Sequence, residues 1–246
     1  MTKRTSCIQL ASLIFGACLM TSLSSCGGSH VATGGGSAAK NPILRTEKIE
    51  GKYKVIFKPL NSSVSGNTSA VAKIEIFDDK IFVDLKAKDA PSNTFHAQAI
   101  YNANTCPTEV HDVNNDGFID PIEAYKVIGE ALIPLDGNLN SQEEGSVEFP
   151  MTDLLGNYFY EQSAVFSIML ADLKMMDSSQ YDHLSKLPRG EKFILDGKVV
   201  MILGVAEDVY LPGSIQNLPN ISARVALPIA CGKIERDYAL DDEIEL

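Results

Sequence analysis

The chain carries little positive charge: 21 Lys and Arg against 32 Asp and Glu give its 246 residues a formal net charge of −11. Nucleic-acid phosphates would repel such a surface, which argues against a nucleic-acid partner.

The sequence also lacks the G-x-S-x-G and H-E-x-x-H motifs, so nothing in it indicates a hydrolase. Beyond the N-terminal region there is no run of eighteen apolar residues, and we expect no membrane span in the body of the chain.

The N-terminus has the three parts of a secretory signal. Lys3 and Arg4 precede an apolar run over residues 8–20, and small residues follow it. The run is too short for a membrane span. The ending L-S-S-C at residues 23–26 resembles the bacterial lipobox, which implies cleavage before Cys26 and lipidation of that cysteine. An ordinary signal peptide that is cut elsewhere is the alternative.

This interpretation divides the chain into three regions. Residues 1–25 are the predicted signal peptide, residues 26–41 the lipidated cysteine and a Gly/Ser/Ala-rich tether, and residues 42–246 the folded domain. The tether reaches roughly 20 Å as a flexible coil. Loss of the signal removes two basic residues and no acidic one, which takes the formal net charge from −11 to −13. In enteric bacteria, an aspartate directly after the lipidated cysteine retains lipoproteins at the inner membrane. This chain has Gly27 at that position. We therefore expect a cell-envelope protein held at the outer membrane by its lipid, with no protein partner identified.

The cysteines that remain form an even pair. Two of the five leave with the signal, and Cys26 takes the lipid, so Cys106 and Cys231 are left. In an oxidising compartment we expect these two to be bridged. The bridge would close a loop of about 125 residues and stabilise the fold by roughly 4–5 kcal/mol in the chain-entropy model. It would also fix the chain just before the motif at residues 112–123.

Residues 112–123 (DVNNDGFIDPIE) match the calcium-loop pattern D-x-[DN]-x-[DN]-G-x₅-E at every defined position. Ca²⁺ binds six to eight oxygen atoms. Gly117 permits the sharp turn at the sixth position, and Ile119 is the apolar residue that anchors the loop on a core. A solvated Asn/Asp/Gly turn is the alternative. The predicted ligands are the side chains of Asp112, Asn114 and Asp116, the carbonyl of Phe118, Asp120 directly or through water, and both oxygens of Glu123.

The motif resembles an EF-hand loop over these twelve residues alone. An EF-hand has a helix on each side of its loop. Residues 123–132 can form the exiting helix, with Pro121 in its first turn. Residues 105–111 are too short for the entering helix, and Pro107 interrupts them. We therefore expect a single calcium loop, inserted in another fold, that acts as a structural clip and not as a sensor.

The rest of the domain has the alternation of apolar and polar residues that is typical of strands. Asp78 and Asp79 separate two strands and predict a tight hairpin turn. Residues 171–187 are expected to form a loop or a short helix. Short strands separated by turns predict an all-β sandwich or barrel. The predicted strands are residues 53–57, 70–77, 80–86, 94–101, 158–160, 164–170, 192–195, 198–205 and 223–230.

A wider resemblance covers about residues 50–234. Residues 227–234 (LPIACGKI) resemble the R-[IL]-A-C-G-V-I ending of copper/zinc superoxide dismutases, which is the one specific motif. Residues 197–203 (GKVVMIL) are similar to the family's preceding strand, and residues 94–98 (TFHAQ) stand at its G-F-H-[VI]-H motif. The resemblance implies an eight-stranded Greek-key β-sandwich with a Cys106–Cys231 bridge. The motifs of this chain add a calcium-loop insertion and a short helix to that fold.

The dismutase metals need more histidines than the four in this chain, of which His30 lies in the tether. His96 matches a copper position, but Gln98 stands at the next one, and the position near Leu203 is not histidine. The calcium loop takes the place of the family's zinc loop. We therefore expect a non-catalytic, calcium-binding module. The alternative is a divergent copper/zinc dismutase-type enzyme in which His96 and His111 hold a residual transition metal.

Overall fold

The computed structural model describes residues 49–140, 148–174, 186–187 and 191–238. Three long strands with alternating apolar residues begin the folded domain. These strands are β1 (Gly51–Pro59), β2 (Ser69–Phe77) and β3 (Lys80–Lys88). Their alternate side chains point into the core. Asp78 and Asp79, at φ 49° and 57°, make the predicted two-residue turn. The predicted signal peptide, Cys26 and the tether lie outside the described residues.

Five further strands complete one antiparallel sheet in the order β5-β4-β7-β8-β1-β2-β3-β6. They are β4 (Gln98–Tyr101), β5 (Ala131–Pro134), β6 (Tyr158–Val165), β7 (Val199–Leu203) and β8 (Pro228–Arg236). The helices are short: α1 (Ser62–Ser65), α2 (Pro121–Ile128), α3 (Phe166–Leu173) and α4 (Ala223–Ala226), with a 3₁₀ turn at Glu109–His111. The prediction of an all-β chain is confirmed.

Several local predictions are wrong. Of the predicted strand at 164–170, residues 164–165 belong to β6, but residues 166–170 lie in α3, because the buried residues there recur at helical spacing instead of alternating. Gly129, at φ 69°, ends α2, so the last residues of the predicted exiting helix belong to β5. Residues 192–195 form no strand, and residues 94–97 precede β4 as irregular chain. The predicted strand at 223–230 begins with α4 and enters β8 only at Pro228.

Two tyrosines of β6 join the two edges of the curled sheet. Tyr158 donates a hydrogen bond of 2.9 Å to Oε1 of Gln98 on β4. Tyr160 donates one of 2.9 Å to the backbone carbonyl of Asp136, just after β5. Both tyrosines are buried, and a buried tyrosine hydroxyl needs such a partner. The curled sheet encloses the main hydrophobic core. We call this junction of β6 with β4 and β5 the seam.

A smaller core lies on the outer face of β4, β7 and β8. Tyr101, Met201 and Cys231 of these strands pack there with Ile128 of α2. The chain between β4 and β5, residues 102–130, therefore covers this half of the outer face. That excursion carries the predicted calcium loop.

Candidate calcium loop and the buried seam

A disulfide joins Cys106 to Cys231, as predicted from the sequence. The Cα atoms are 5.8 Å apart and 125 positions separate the two residues. Cys231 lies within β8, whereas Cys106 lies in the excursion shortly after β4. The bridge therefore fixes the start of the excursion to the middle of the sheet.

The two ends of the calcium loop meet. The backbone N–H of Val113 donates a hydrogen bond of 2.7 Å to Oε1 of Glu123, the last predicted ligand. Asp112, the first predicted ligand, accepts from the backbone N–H groups of Asp116 at 3.1 Å and Gly117 at 2.8 Å. Gly117 has φ 86°, a left-handed conformation that strains any residue with a Cβ. Residues 112–123 thus form a closed ring.

The middle of the loop is ordered by its own oxygen atoms. Oδ1 of Asn114 accepts the N–H of Asp116 at 2.9 Å, and the Asn114 amide donates to Oδ2 of Asp116 at 3.1 Å. Oδ1 of Asp116 accepts the N–H of Phe118 at 2.9 Å. The side chains at the first, third and fifth positions are therefore held on the ring by backbone contacts.

Asp120 and Glu123 form a capping box at the start of α2. Oδ1 of Asp120 accepts the Glu123 N–H at 2.9 Å, and Oε2 of Glu123 accepts the Asp120 N–H at 3.0 Å. Oδ2 of Asp120 accepts the N–H of Gln216 at 3.2 Å. Both carboxylate oxygens of Asp120 are thus engaged by backbone N–H groups, and the side chain is buried.

Asn61 attaches the loop to the sheet. Its Oδ1 accepts the N–H of Ile119 at 2.8 Å, and its Nδ2 donates to the Ile119 carbonyl at 3.0 Å and the Pro228 carbonyl at 2.9 Å. One amide thereby satisfies both backbone groups of Ile119, as a neighbouring strand would. The sequence analysis missed Asn61. An asparagine after a strand signals only a turn, although its φ of 52° is typical of that residue type.

The donor atoms suit a hard cation. Residues 112–123 contain four carboxylates and no Lys or Arg, and Ca²⁺ prefers oxygen ligands. Over the described ranges, no three His, Cys, Asp or Glu side chains converge as a metal-binding group. The carboxylates of the loop instead accept the backbone N–H groups named above.

His96 lies in the seam and is fully buried. Its Nδ1 lies 3.0 Å from the Leu203 carbonyl, and its Nε2 lies 3.2 Å from the Pro91 carbonyl. The ring stacks on Tyr158 with centroids 5.7 Å apart. Burial lowers the pKa of His96, and the two carbonyl contacts oppose that shift without overcoming it. Both ring nitrogens thus face backbone oxygens.

The other predicted dismutase positions have separate surroundings. Gln98 donates to the Leu135 carbonyl at 3.1 Å and accepts from Tyr158. His111 is partly exposed beside the calcium loop, where its Nδ1 lies 3.0 Å from the backbone nitrogen of Thr108. His96 therefore belongs to the buried seam, and His111 belongs to the edge of the loop.

The seam also holds a buried carboxylate that the sequence analysis missed. Oδ1 of Asp136 accepts the Asn138 N–H at 2.8 Å, whereas Oδ2 has no hydrogen-bond partner in the described structure. Burial, with the charge of Asp136 as a smaller cause, raises the pKa of Tyr160 far above its ordinary value. Burial alone does the same for the pKa of Tyr158. Both hydroxyls consequently stay protonated at neutral pH.

A groove of about 1290 Å³ runs between the excursion and the outer face of β1 and β8. Ile56, Lys58 and Lys233 line its sheet side, and Asp112 and Phe118 of the calcium loop line the other.

No helix in the described ranges is long and apolar enough to cross a membrane. Neither a protein-family model nor a curated protein matches the sequence of this chain.

Proposed function

We propose that the chain is a calcium-binding, lipid-anchored protein of the bacterial cell envelope with a non-catalytic binding or structural role. The observation that carries this proposal is the closed ring of residues 112–123. Its oxygen-bearing side chains follow one another in the order of the calcium-loop pattern. Ca²⁺ would offset two of the four negative charges on a ring that contains no basic side chain.

The ligands proposed from the ring are the side chains of Asp112, Asn114 and Asp116, the Phe118 carbonyl and both oxygens of Glu123. The two carboxylate oxygens of Asp120 already accept the N–H groups of Glu123 and Gln216. Both oxygens of Glu123 accept backbone N–H groups in the same way, so we propose that Asp120 contacts the ion directly or through water. As in other calcium modules outside the cytoplasm, a dissociation constant of about 10⁻⁴–10⁻³ M would suffice.

A structural role is favoured over a sensing role because the loop is attached at several points. The disulfide fixes the chain before the loop, and Asn61 binds its eighth position. After the loop, α2 packs Ile128 against the outer face of the sheet. Sensors work by moving a helix pair, and the single helix here is fixed on the core. Bound calcium would then stabilise the native state by mass action.

We further propose that the curled sheet is a Greek-key sandwich of the superoxide dismutase type. The chain crosses between distant strands three times, from β3 to β4, from β5 to β6 and from β6 to β7, which fits such a topology. The position of Cys231 on β8 and its partner after β4 also fits the family's bridge. Enzymatic activity is not favoured, because both nitrogens of His96 face backbone carbonyls and Gln98 takes the next copper position.

A metal inventory of the mature protein tests this proposal. After equilibration with Ca²⁺, Cu²⁺ and Zn²⁺ and then gel filtration in calcium buffer, we expect about one calcium per chain and no stoichiometric copper or zinc. Copper or zinc retained in a one-to-one ratio, with consumption of superoxide, would establish the enzyme instead. The intact mass of protein from bacterial membranes tests the anchor separately. We expect acyl groups on Cys26, whereas an unmodified mass would remove the lipid from the proposal.

A further inference from the structure

No residue of β2, β3 or β6 lines the groove beside the excursion, whereas Ile56, Lys58 and Lys233 line its sheet side. One row of side chains on this outer face mixes basic and apolar residues. Adjacent strands place these side chains side by side, through the pairs Lys233–Ile56, Ile56–Val71, Val71–Lys86 and Lys86–Phe159. All five are exposed; Ile56 is 64 %, Val71 50 % and Phe159 53 % accessible. The Nζ of Lys86 lies 5.4 Å from the centre of the Phe159 ring.

Two more exposed lysines, Lys58 on β1 and Lys88 on β3, continue this row toward the ends of their strands. We call the seven residues the basic face. Its members are Ile56, Lys58, Val71, Lys86, Lys88, Phe159 and Lys233. The basic face therefore contains four lysines, three apolar side chains and no carboxylate.

The neighbouring row toward the other strand ends is different, because its charges are nearly balanced. Lys54 and Lys73 pair with each other across β1 and β2. Lys54 also pairs with Glu235, Lys73 pairs with Asp84, and Asp84 pairs with Glu161. Three carboxylates thus accompany two lysines in that row. Of these two rows, only the one in the basic face has an excess of positive charge.

Such a face is unexpected in a chain whose formal net charge is −11 and falls to −13 without the signal peptide. The Debye length is about 8 Å at physiological ionic strength, so carboxylates on distant faces are largely screened from a ligand bound here. Asp112 and Glu235 are nearer, because they line the same groove as Lys58 and Lys233. A ligand on this face would meet lysines and apolar groups together. This combination matches the surface of an anionic bilayer, with phosphates above and acyl chains just below.

We propose that the basic face docks the domain on an anionic membrane surface. The four lysines contact lipid phosphates, and Ile56, Val71 and Phe159 reach the boundary between the headgroups and the acyl chains. The inference rests on the proposed function, because the lipid on Cys26 and a tether of roughly 20 Å bring the domain within reach of a bilayer. Docking would supply the second, weak membrane contact that a polybasic surface adds to an acyl anchor.

The test uses the mature chain from residue 26 with Cys26→Ser, which cannot carry a lipid. Its sedimentation is measured with vesicles of phosphatidylcholine alone and of phosphatidylcholine and phosphatidylglycerol in equal parts. We expect binding to the mixed vesicles only, weakened by added salt. Each lysine contributes about fivefold in affinity at an anionic surface, so Lys86→Glu with Lys233→Glu should weaken binding by at least about 25-fold.

The matched control is Lys54→Glu with Lys73→Glu, which lowers the net charge by the same amount in the nearly balanced row. Because this row lies about 7 Å from the basic face, within the Debye length, we expect some loss of binding but a clearly smaller one than in Lys86→Glu with Lys233→Glu. Equal losses in the two double variants would show that net charge alone matters and would overturn the proposal. The proposal also fails if the wild-type chain ignores mixed vesicles or binds neutral vesicles equally well. Equal melting temperatures for both variants would establish that each is folded.

A soluble polyanion separates a membrane from an acidic protein partner. Polyglutamate offers carboxylates but no bilayer, and we expect it to compete poorly with mixed vesicles at the same ionic strength. Full competition at matched charge would assign the basic face to an acidic polypeptide and overturn the membrane proposal. Because the tested chain lacks the lipid, its failure to bind leaves the anchor on Cys26 and the calcium loop untouched.

Discussion

The side-chain amide of Asn61 binds both backbone polar groups of Ile119, 58 positions later in the chain, at 2.8 Å and 3.0 Å. The same amide donates to Pro228 at the start of β8. Three segments that are remote in sequence therefore meet at one side chain. This contact is the most direct link between the calcium loop and the sheet.

Replacing Asn61 by alanine is expected to lower the free energy of unfolding by about 2–4 kcal/mol. The variant loses three hydrogen bonds, each contributing about 1 kcal/mol, and places a Cβ without polar compensation at φ 52°. Urea denaturation measures the change. Asn61→Gly keeps the left-handed backbone accessible and isolates the hydrogen-bond contribution. A change below about 0.5 kcal/mol in both variants would show that the amide does not attach the loop.

Calcium is expected to raise the melting temperature, and Glu123→Gln to remove most of that gain. Glutamine keeps the size of the side chain but offers one neutral oxygen in place of a carboxylate that closes the ring. Thermal unfolding in excess Ca²⁺ and in EDTA measures the difference. Glu109→Gln, an exposed position outside the ring, is the matched control and should keep the full gain. If EDTA leaves the wild-type melting temperature unchanged, the calcium assignment is lost.

Removal of the disulfide in the double variant Cys106→Ala with Cys231→Ala is expected to cost up to about 4–5 kcal/mol. The bridge closes a loop of 125 residues, and in the chain-entropy model this restricts the unfolded chain. Chemical denaturation under oxidising conditions compares the variant with the parent chain. A loss of stability under about 1 kcal/mol would mean that the bridge does little beyond the packing already present in the smaller core.

Stability is expected to fall as the pH drops below about 6.5, partly because of His96. Burial lowers the pKa of this group in the native state, whereas the unfolded chain keeps the ordinary value of 6.5. The unfolded state therefore binds the proton first, and the contribution of His96, full above pH 6.5, is lost as the pH falls toward the lower native pKa.

The variant His96→Gln tests this origin of the pH dependence. Glutamine cannot take up the proton, so denaturation curves from pH 7.5 to 5 should show a shallower slope for the variant, whatever its absolute stability. His111→Gln is the control, since that partly exposed side chain lies outside the seam. An unchanged slope in His96→Gln would assign the pH dependence to other groups.

The long strands were predictable because one face of each is buried and the other is exposed. Alternation along β1, β2 and β3 and the two aspartates of their hairpin were sufficient for that part of the fold. The disulfide followed from counting cysteines in an oxidising compartment. The glycine that follows Cys231 also has a physical reason: a Cβ on Gly232 would lie 2.6 Å from Cγ1 of Val55, so no larger residue fits there without a shift.

The parts that escaped prediction depend on contacts between distant segments. Residues 166–170 are mostly apolar without alternation, and they form α3 because Phe166 and Met169 pack in the main core. Asn61 could be recognised only once α1, the loop and β8 were brought together. The buried partners of Tyr158 and Tyr160 likewise lie across the seam, more than twenty positions away. No pattern of neighbouring residues in the sequence predicts such long-range contacts.

Calorimetric titration of the mature chain with Ca²⁺, beside Glu123→Gln, tests the central claim most directly. The account predicts binding of about one ion per chain with a dissociation constant near 10⁻⁴–10⁻³ M or tighter, and binding at least about tenfold weaker in the variant. Absence of saturable calcium binding by the folded wild-type chain, or the same affinity in both proteins, would contradict the assignment of residues 112–123 as a calcium site.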